Sequence, residues 1–154
     1  MNLKLSSAAF KNEKNIPPLY TCKGKNISPP LSWSNPPKET RSFALIMEDT
    51  DTPFGTVTHW VIYNIPPDKK ELTEAIPHQK RLPDGTVQGR NGMFKNGYMG
   101  PCPPWGRHRY YFYLYALDTV LETNPKINKK KLLNLIKDHI LDKTVLMGYF
   151  SRKE

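Results

Sequence analysis

Residues 98–110 read YMGPCPPWGRHRY, and this run decides how the chain has to be built. Pro101, Pro103 and Pro104 lack amide donors, and Gly100 and Gly106 tolerate positive φ, so no regular helix or strand is expected before Arg109. From residue 110 to 117 the sequence becomes YYFYLYAL, apolar or aromatic at every position. Such a segment is expected to be a central strand covered on both faces. A shaped loop is thus joined directly to a buried strand, and it delivers His108 and Tyr110 to the strand mouth, as a rigid binding pocket requires.

Two other loops hand polar groups to strand ends in the same way. Residues 48–59, EDTDTPFGTVTH, lie between the apolar runs 43–47 and 60–65 and carry Asp49, Asp51 and His59. Residues 20–33, YTCKGKNISPPLSW, contain Cys22, Gly24, Asn26, Pro29 and Pro30. The pattern predicts strands at 43–48, 59–64, 109–117 and 145–150, with weaker ones at 3–5 and 87–88. A helix is expected over 128–140, where Leu132, Leu133, Ile136 and Ile140 recur at helical spacing. The 15 prolines include five Pro-Pro pairs between these segments, which read as rigid turns rather than a linker. The expected fold class is mainly β, with antiparallel sheets packed face to face and a few short peripheral helices.

A chain of 154 residues is of ordinary single-domain size, long enough to bury one core without staples. Residues 1–154 are therefore read as one domain. The first ten residues, MNLKLSSAAF, lack the apolar centre of a signal peptide, and the 110–117 run is too short to cross a membrane as a helix. A cytoplasmic location is the expectation. Of the net charge of +9, residues 126–154 contribute eight Lys or Arg against three Asp or Glu, an excess of five. Lysines on the outer face of an amphipathic helix are ordinarily solvated, and no aromatic-rich face is apparent beside them, so no nucleic-acid partner is expected. The basic balance favours anionic ligands at long range.

Catalytic readings find little support. No G-x-S-x-G elbow occurs. Cys102 lies near His108 in sequence, yet Pro103 and Pro104 remove the amides that would supply an oxyanion hole after a nucleophile. His59, His108 and a carboxylate match the composition of a metal triad, but spacing across two loops is no argument for one. Neither enzyme activity, metal nor cofactor is expected. Cys22 and Cys102, the only cysteines, are either two free thiols or a bridge, depending on whether their loops touch.

Taken together, the three loops resemble the phosphatidylethanolamine-binding protein family, also called Raf kinase inhibitor-like proteins, and in particular its shorter bacterial and archaeal branch. The resemblance runs from Tyr20 to Gly148, and GPCPPWGRHRY is its most specific part. It implies a small-anion site whose residues fall on Asp49, His59, Tyr98 and His108, with Tyr110 closing the wall and Gly100, Cys102 and Pro103 in the surrounding loop. Asp51 and Pro53 would support the site from behind, and the resemblance suggests a cis Thr52–Pro53 bond. Thr50 stands where the family usually has Pro, and Val57 where larger eukaryotic members carry an aromatic. The implied ligand is a phosphate ester or headgroup. Asp49 would repel it directly, but by holding an imidazole N–H from behind it would fix a histidine to donate. A second reading is a protein inhibitor of serine proteases or kinases acting through a surface loop such as 82–96, LPDGTVQGRNGMFKN. A homodimer is compatible with either.

Overall fold

A computed structural model describes residues 2–152. Its frame is four long strands: β4 (Ser42–Thr52), β5 (Gly55–Ile65), β8 (Arg107–Leu117) and β9 (Ile140–Ser151). Around them lie β1 (Lys4–Ser6), β2 (Lys14–Asn15), β3 (Leu31–Ser34), β6 (Glu71–Leu72) and β7 (Val87–Gln88). One 3-10 turn (Pro18–Tyr20) and one α-helix, α1 (Lys129–Ile136), complete the described elements. The strands form a large sheet of order β2-β9-β8-β4-β5-β7 and a small one of order β1-β3-β6. The chain is mainly β, as its alternating and apolar runs require. Pairing is antiparallel throughout except where β2 adds to β9 in parallel.

Both faces of the large sheet are apolar, and each is covered differently. On one face Phe43, Leu45, Met47, Trp60, Ile62, Phe112 and Leu114 pack against Leu3, Leu5, Leu31, Trp33 and Leu72 of the small sheet and its approaches. On the other, Ala44, Ile46, Val61, Tyr63, Tyr115 and Leu117 pack against Ile127, Leu132 and Ile136 in and before α1. β8 is central and covered on both sides in its second half. In its first half one face is only partly covered, and Tyr111 and Tyr113 remain half-exposed there.

The helix stops four residues before the expected 140. Asn128 caps its start by accepting from the Lys131 amide at 3.0 Å. After Ile136 the chain turns, with the His139 amide donating to the Ile136 carbonyl, and Ile140 opens β9 opposite Leu117. Ile140 thus sits at helical spacing by coincidence; its strand partner claims it. The Thr52–Pro53 bond is trans, since the described residues contain no cis bond. Thr52 and Gly55 are direct partners across the β4–β5 hairpin, and Gly55 has φ +95°. Proline fits the second position of such a turn and glycine the fourth, so a trans bond already closes it.

Cys22 and Cys102 are joined, which settles the alternative left open by the sequence. The bridge links positions 80 residues apart, and the Cys22 amide also donates to the Pro101 carbonyl at 3.1 Å. Closing a loop of that length in the unfolded chain is worth about 4 kcal/mol in the entropic model. Reduction, or Cys22→Ser, is therefore expected to lower stability by up to about that amount in denaturant titrations. An unchanged midpoint in reductant would show that the bridge does not constrain the unfolded state.

Candidate functional site

The mouth of the large sheet, where β4 ends and β8 begins, gathers the polar residues. Asp49 lies opposite Tyr110 across β4 and β8. His108, two residues before Tyr110, projects from the same side of β8 by strand alternation, and its Nδ1–H donates to Asp49 Oδ2 at 2.7 Å. The other carboxylate oxygen accepts from the Asp51 amide at 2.8 Å. Both partners are nearly out of solvent, Asp49 at 2 % exposure and His108 at 6 %.

His59 reaches this group through an irregularity in β5. Met47 pairs with Trp60 and Glu48 with Thr58, so the register passes over His59. The extra residue is a β-bulge, and it turns His59 to the same face as Trp60, against the edge of the Tyr110 ring at a centroid distance of 5.3 Å. Strict alternation would have sent it to the α1 face. The His59 Nδ1–H donates to the Met99 carbonyl at 2.5 Å, and the His59 carbonyl accepts from the Met99 amide at 2.9 Å. Its orientation is thus set by the 98–110 loop and not by Asp49. Burial, the largest influence, pushes the His59 imidazole below its ordinary range, against the pull of the Met99 carbonyl and the Asp49 carboxylate.

Tyr110 sits between the two imidazoles, with the His108 ring stacked at 6.5 Å. Its side chain is fully buried, and its hydroxyl lies beside the Asp49 carboxylate. Burial first, and the Asp49 charge second, raise this phenol well above its usual range. It stays protonated and can offer its proton to a nearby oxygen.

The remaining sequence-predicted residues occupy other roles. Tyr98 is buried edge-on to Trp60, and its hydroxyl donates to the Tyr20 carbonyl at 2.7 Å, so its donor is already engaged. Gly100 lies where the two loops meet: a Cβ there would collide with Asn26 Oδ1 and come within 2.5 Å of the Tyr20 carbonyl. Its amide donates to Asn26 Oδ1 at 2.9 Å. Cys102 is locked in the bridge. Pro103 is buried beside it in sequence. Asp51 stands behind Asp49 and clamps Arg109 bidentately, at 3.0 Å to Nε and 2.8 Å to Nη2; that guanidinium holds the Asp51 carboxyl below its usual range. Pro53 lies exposed at the hairpin tip.

A cavity of about 410 Å³ opens over His108, walled by Asp51, Trp105, Arg107, Arg109 and Tyr149. Arg107 lies flat on the Tyr149 ring, 4.0 Å from its centroid, and Trp105 is 63 % exposed. Trp105 and Arg107 belong to the run that decided the fold, although sequence reasoning assigned them no role. Tyr149 had no local signal; it arrives because β9 pairs Tyr149 with Arg109. Among the described residues, no group of three or more His, Cys, Asp or Glu is placed to hold a metal. No described helix is long and apolar enough to cross a membrane.

Comparison with known proteins gives the family and the fold. A family model described as phosphatidylethanolamine-binding protein matches residues 6–151. A UPF0098 protein of Methanothermobacter thermautotrophicus is 52 % identical over 152 residues, covering 99 % of each chain. Among solved structures, a homologue of phosphatidylethanolamine-binding protein from Chlamydia trachomatis superposes with TM-score 0.91 at 40 % identity, covering 98 % of both chains. YbcL of E. coli, described as a new member of the mammalian family, gives 0.90 at 27 % identity, covering 98 % of this chain and 99 % of its own.

The His59 shift has a consequence for pH. Its folded pKa lies below its unfolded value, so the folded state favours the neutral ring. The associated stabilisation is complete above the unfolded value and is lost as pH falls through the lowered folded one. Melting temperatures measured from about pH 8 to about pH 5 should therefore fall more steeply for the wild type than for His59→Gln. Parallel curves would show that His59 takes up its proton without cost to the fold.

Proposed function

The chain belongs to the phosphatidylethanolamine-binding protein family, and from that premise we propose that it binds a small anion or phosphate-bearing ligand at the His108 mouth, without turnover and in the cytoplasm. The observation that carries this reading is the buried Asp49–His108 pair opening on a cavity walled by Arg107, with the Tyr110 hydroxyl buried beside it. Asp49 acts by holding His108, which leaves the far ring nitrogen to meet the ligand. His59 completes the cradle when it takes up a proton, so affinity rises as pH falls until the ligand itself loses charge. Arg107 and Arg109 at the rim attract the anion. No chemistry is asked of the site: its carboxylate is engaged by His108 and its cysteine is bridged.

The alternative of inhibition through a surface loop gains no specific support from the 82–96 segment. Residues 86–89 of it are buried, and the Gln88 side-chain Nε2 donates to the Pro77 and Gln79 carbonyls. What remains exposed is two short turns rather than one presenting loop.

Calorimetric titration with O-phosphoserine, phosphorylethanolamine and inorganic phosphate tests the proposal. His108→Ala should weaken binding about ten- to a hundredfold, and His59→Ala should do so only at the acid pH where its ring is protonated. Asp49→Asn should also weaken it; tighter binding would mean that the carboxylate acts on the ligand directly by repulsion. Tyr110→Phe removes the buried hydroxyl and should lower affinity about tenfold. Unchanged affinity in all four would leave the pocket a structural feature only.

A further inference from the structure

We infer that the open end of the helix-side face of the large sheet, where tyrosines of β8 and β9 lie under Arg107 and Lys143, is a docking platform for single-stranded nucleic acid. Helix α1 is eight residues long, about 12 Å at 1.5 Å per residue. It packs with Tyr115 and Leu117 and leaves Tyr111 and Tyr113 half-exposed. Side chains alternate along a strand, so Arg109, Tyr111, Tyr113 and Tyr115 share one face. Their direct partners on β9 are Tyr149, Met147, Val145 and Lys143. These paired rows make a surface about 20 Å long at about 3.3 Å per residue.

Tyrosine is a common strand former, so the rings alone decide nothing. What sets this face apart is the charge laid over them. The Arg107 guanidinium lies 4.0 Å from the Tyr149 ring centroid, and the Lys143 ammonium lies 5.2 Å from that of Tyr113 and 5.7 Å from that of Tyr115. Tyr111 and Tyr113 stand nearly parallel, 13° apart at a centroid distance of 5.9 Å. Of the carboxylates beside the face, Glu48 is paired with Lys129 and Asp51 with Arg109. Among the described residues Arg107 and Lys143 have no carboxylate partner. A cation that rests only on an exposed ring is weakly held, so a phosphate can take it without breaking an ion pair.

The occupant follows from charge and shape together. A second copy would bring basic face against basic face in a chain of net charge +9, and the two would repel. A duplex offers phosphates but keeps its bases stacked inside. An unpaired strand offers both halves: bases that stack on tyrosine or guanidinium, and phosphates along the backbone for Arg107 and Lys143. The lack of an aromatic-rich face beside the α1 lysines argued against nucleic acid; β8 and β9 supply such a face elsewhere, and strand pairing brings cations to it.

This platform does not rest on the His108 reading. Its mouth end shares Arg107, Arg109 and Tyr149 with that cavity, whereas Tyr111, Tyr113 and Lys143 lie outside it. Fluorescence anisotropy of the purified protein with labelled single strands of about ten nucleotides, RNA and DNA of one mixed sequence, is the test. At least one of the two should bind saturably with Kd below about 100 μM at about 0.15 M salt, the tighter one identifying the preferred sugar. The unlabelled duplex of that sequence should compete at least about tenfold less well. Tyr111→Ser combined with Tyr113→Ser should weaken binding at least about tenfold, while Tyr111→Phe with Tyr113→Phe should keep it. Arg107→Gln combined with Lys143→Gln should weaken binding and flatten its logarithmic salt dependence by about 1.4, the share of two phosphates. Both of those side chains are exposed, so this pair decides if the serine pair does not fold. Lys4→Gln with Lys70→Gln, on the small-sheet side, removes the same charge and should change little, and His108→Ala should leave strand binding unchanged. O-phosphoserine affinity should persist in the serine pair, so that failure of one reading leaves the other standing. No saturable binding, equal competition by the duplex, a folded serine pair or an Arg107 and Lys143 pair that binds as the wild type does, an equal loss in the Lys4 and Lys70 control, or a loss in His108→Ala would each overturn the inference. So would a dimer in sedimentation that the serine pair dissociates, which would give the face to a second copy.

Discussion

Everything at the candidate site depends on the register of three adjacent strands, β5, β4 and β8. Antiparallel pairing sets Asp49 across from Tyr110, and because side chains alternate with period two, His108 then faces the same way and meets the Asp49 carboxylate at 2.7 Å. A slip of one residue would turn both away and carry the apolar residues of β8 with them. The core therefore enforces the geometry of the site: Phe112 and Leu114 cannot stay buried against the small sheet unless Tyr110 and His108 stay where they are. Of the three register shifts in the β4–β5 pairing, the bulge at His59 adds the second imidazole to a face it would otherwise miss.

A second layer of constraint comes from loops that lack regular pairing. The 98–110 run cannot contribute ladder hydrogen bonds at its prolines, so it is tied down by other means. Tyr98 donates to Tyr20, Gly100 packs on the same carbonyl, Cys102 is bridged to Cys22, and Met99 holds His59 on both sides of its backbone and ring. These ties join a proline-rich loop to a strand bulge, and both would be mobile alone. What seemed a set of ligand-binding groups divides by this criterion: His108 lines the cavity with His59 and Tyr110 packed behind it, whereas Tyr98, Gly100 and Cys102 hold the loop.

Both faces of the large sheet carry basic side chains around a concavity. On the small-sheet side Asp49, the two imidazoles and the Tyr110 ring pack together, and His108 opens on a cavity walled by Arg107 and Arg109. On the helix side, lysines that would ordinarily be a solvated face converge on a cleft with a strained aromatic at its rim. Excess charge in the last fifth of the chain reads as undirected solvation until α1 is docked on β4 and β5. Only then do Lys126 and Lys130 meet Arg90, which lies far away in sequence.

The sequence by itself determined the class of the fold and singled out Asp49, His59, His108 and Tyr110, which the structure brings together. Runs such as 43–48 and 109–117 must be strands because their apolar residues leave no polar face for a surface helix, and the PCPPWG segment must be a loop because proline and glycine permit nothing else. The motif residues were legible for the same local reason, since His, Asp and Tyr at loop–strand junctions stand out against apolar runs. Only the tertiary structure decided which of them point at one another. The end of α1 at Ile136 rather than 140 was set by the pairing of Ile140 with Leu117. The Cys22–Cys102 bridge, the trans bond at Pro53, the engaged hydroxyl of Tyr98 and the turned side chain of His59 were likewise decided by partners or hairpin register. Each depends on the register of a strand or the close approach of a distant loop. Period and propensity describe a chain along its length, and they carry no information on which far segment will supply the other half of a contact.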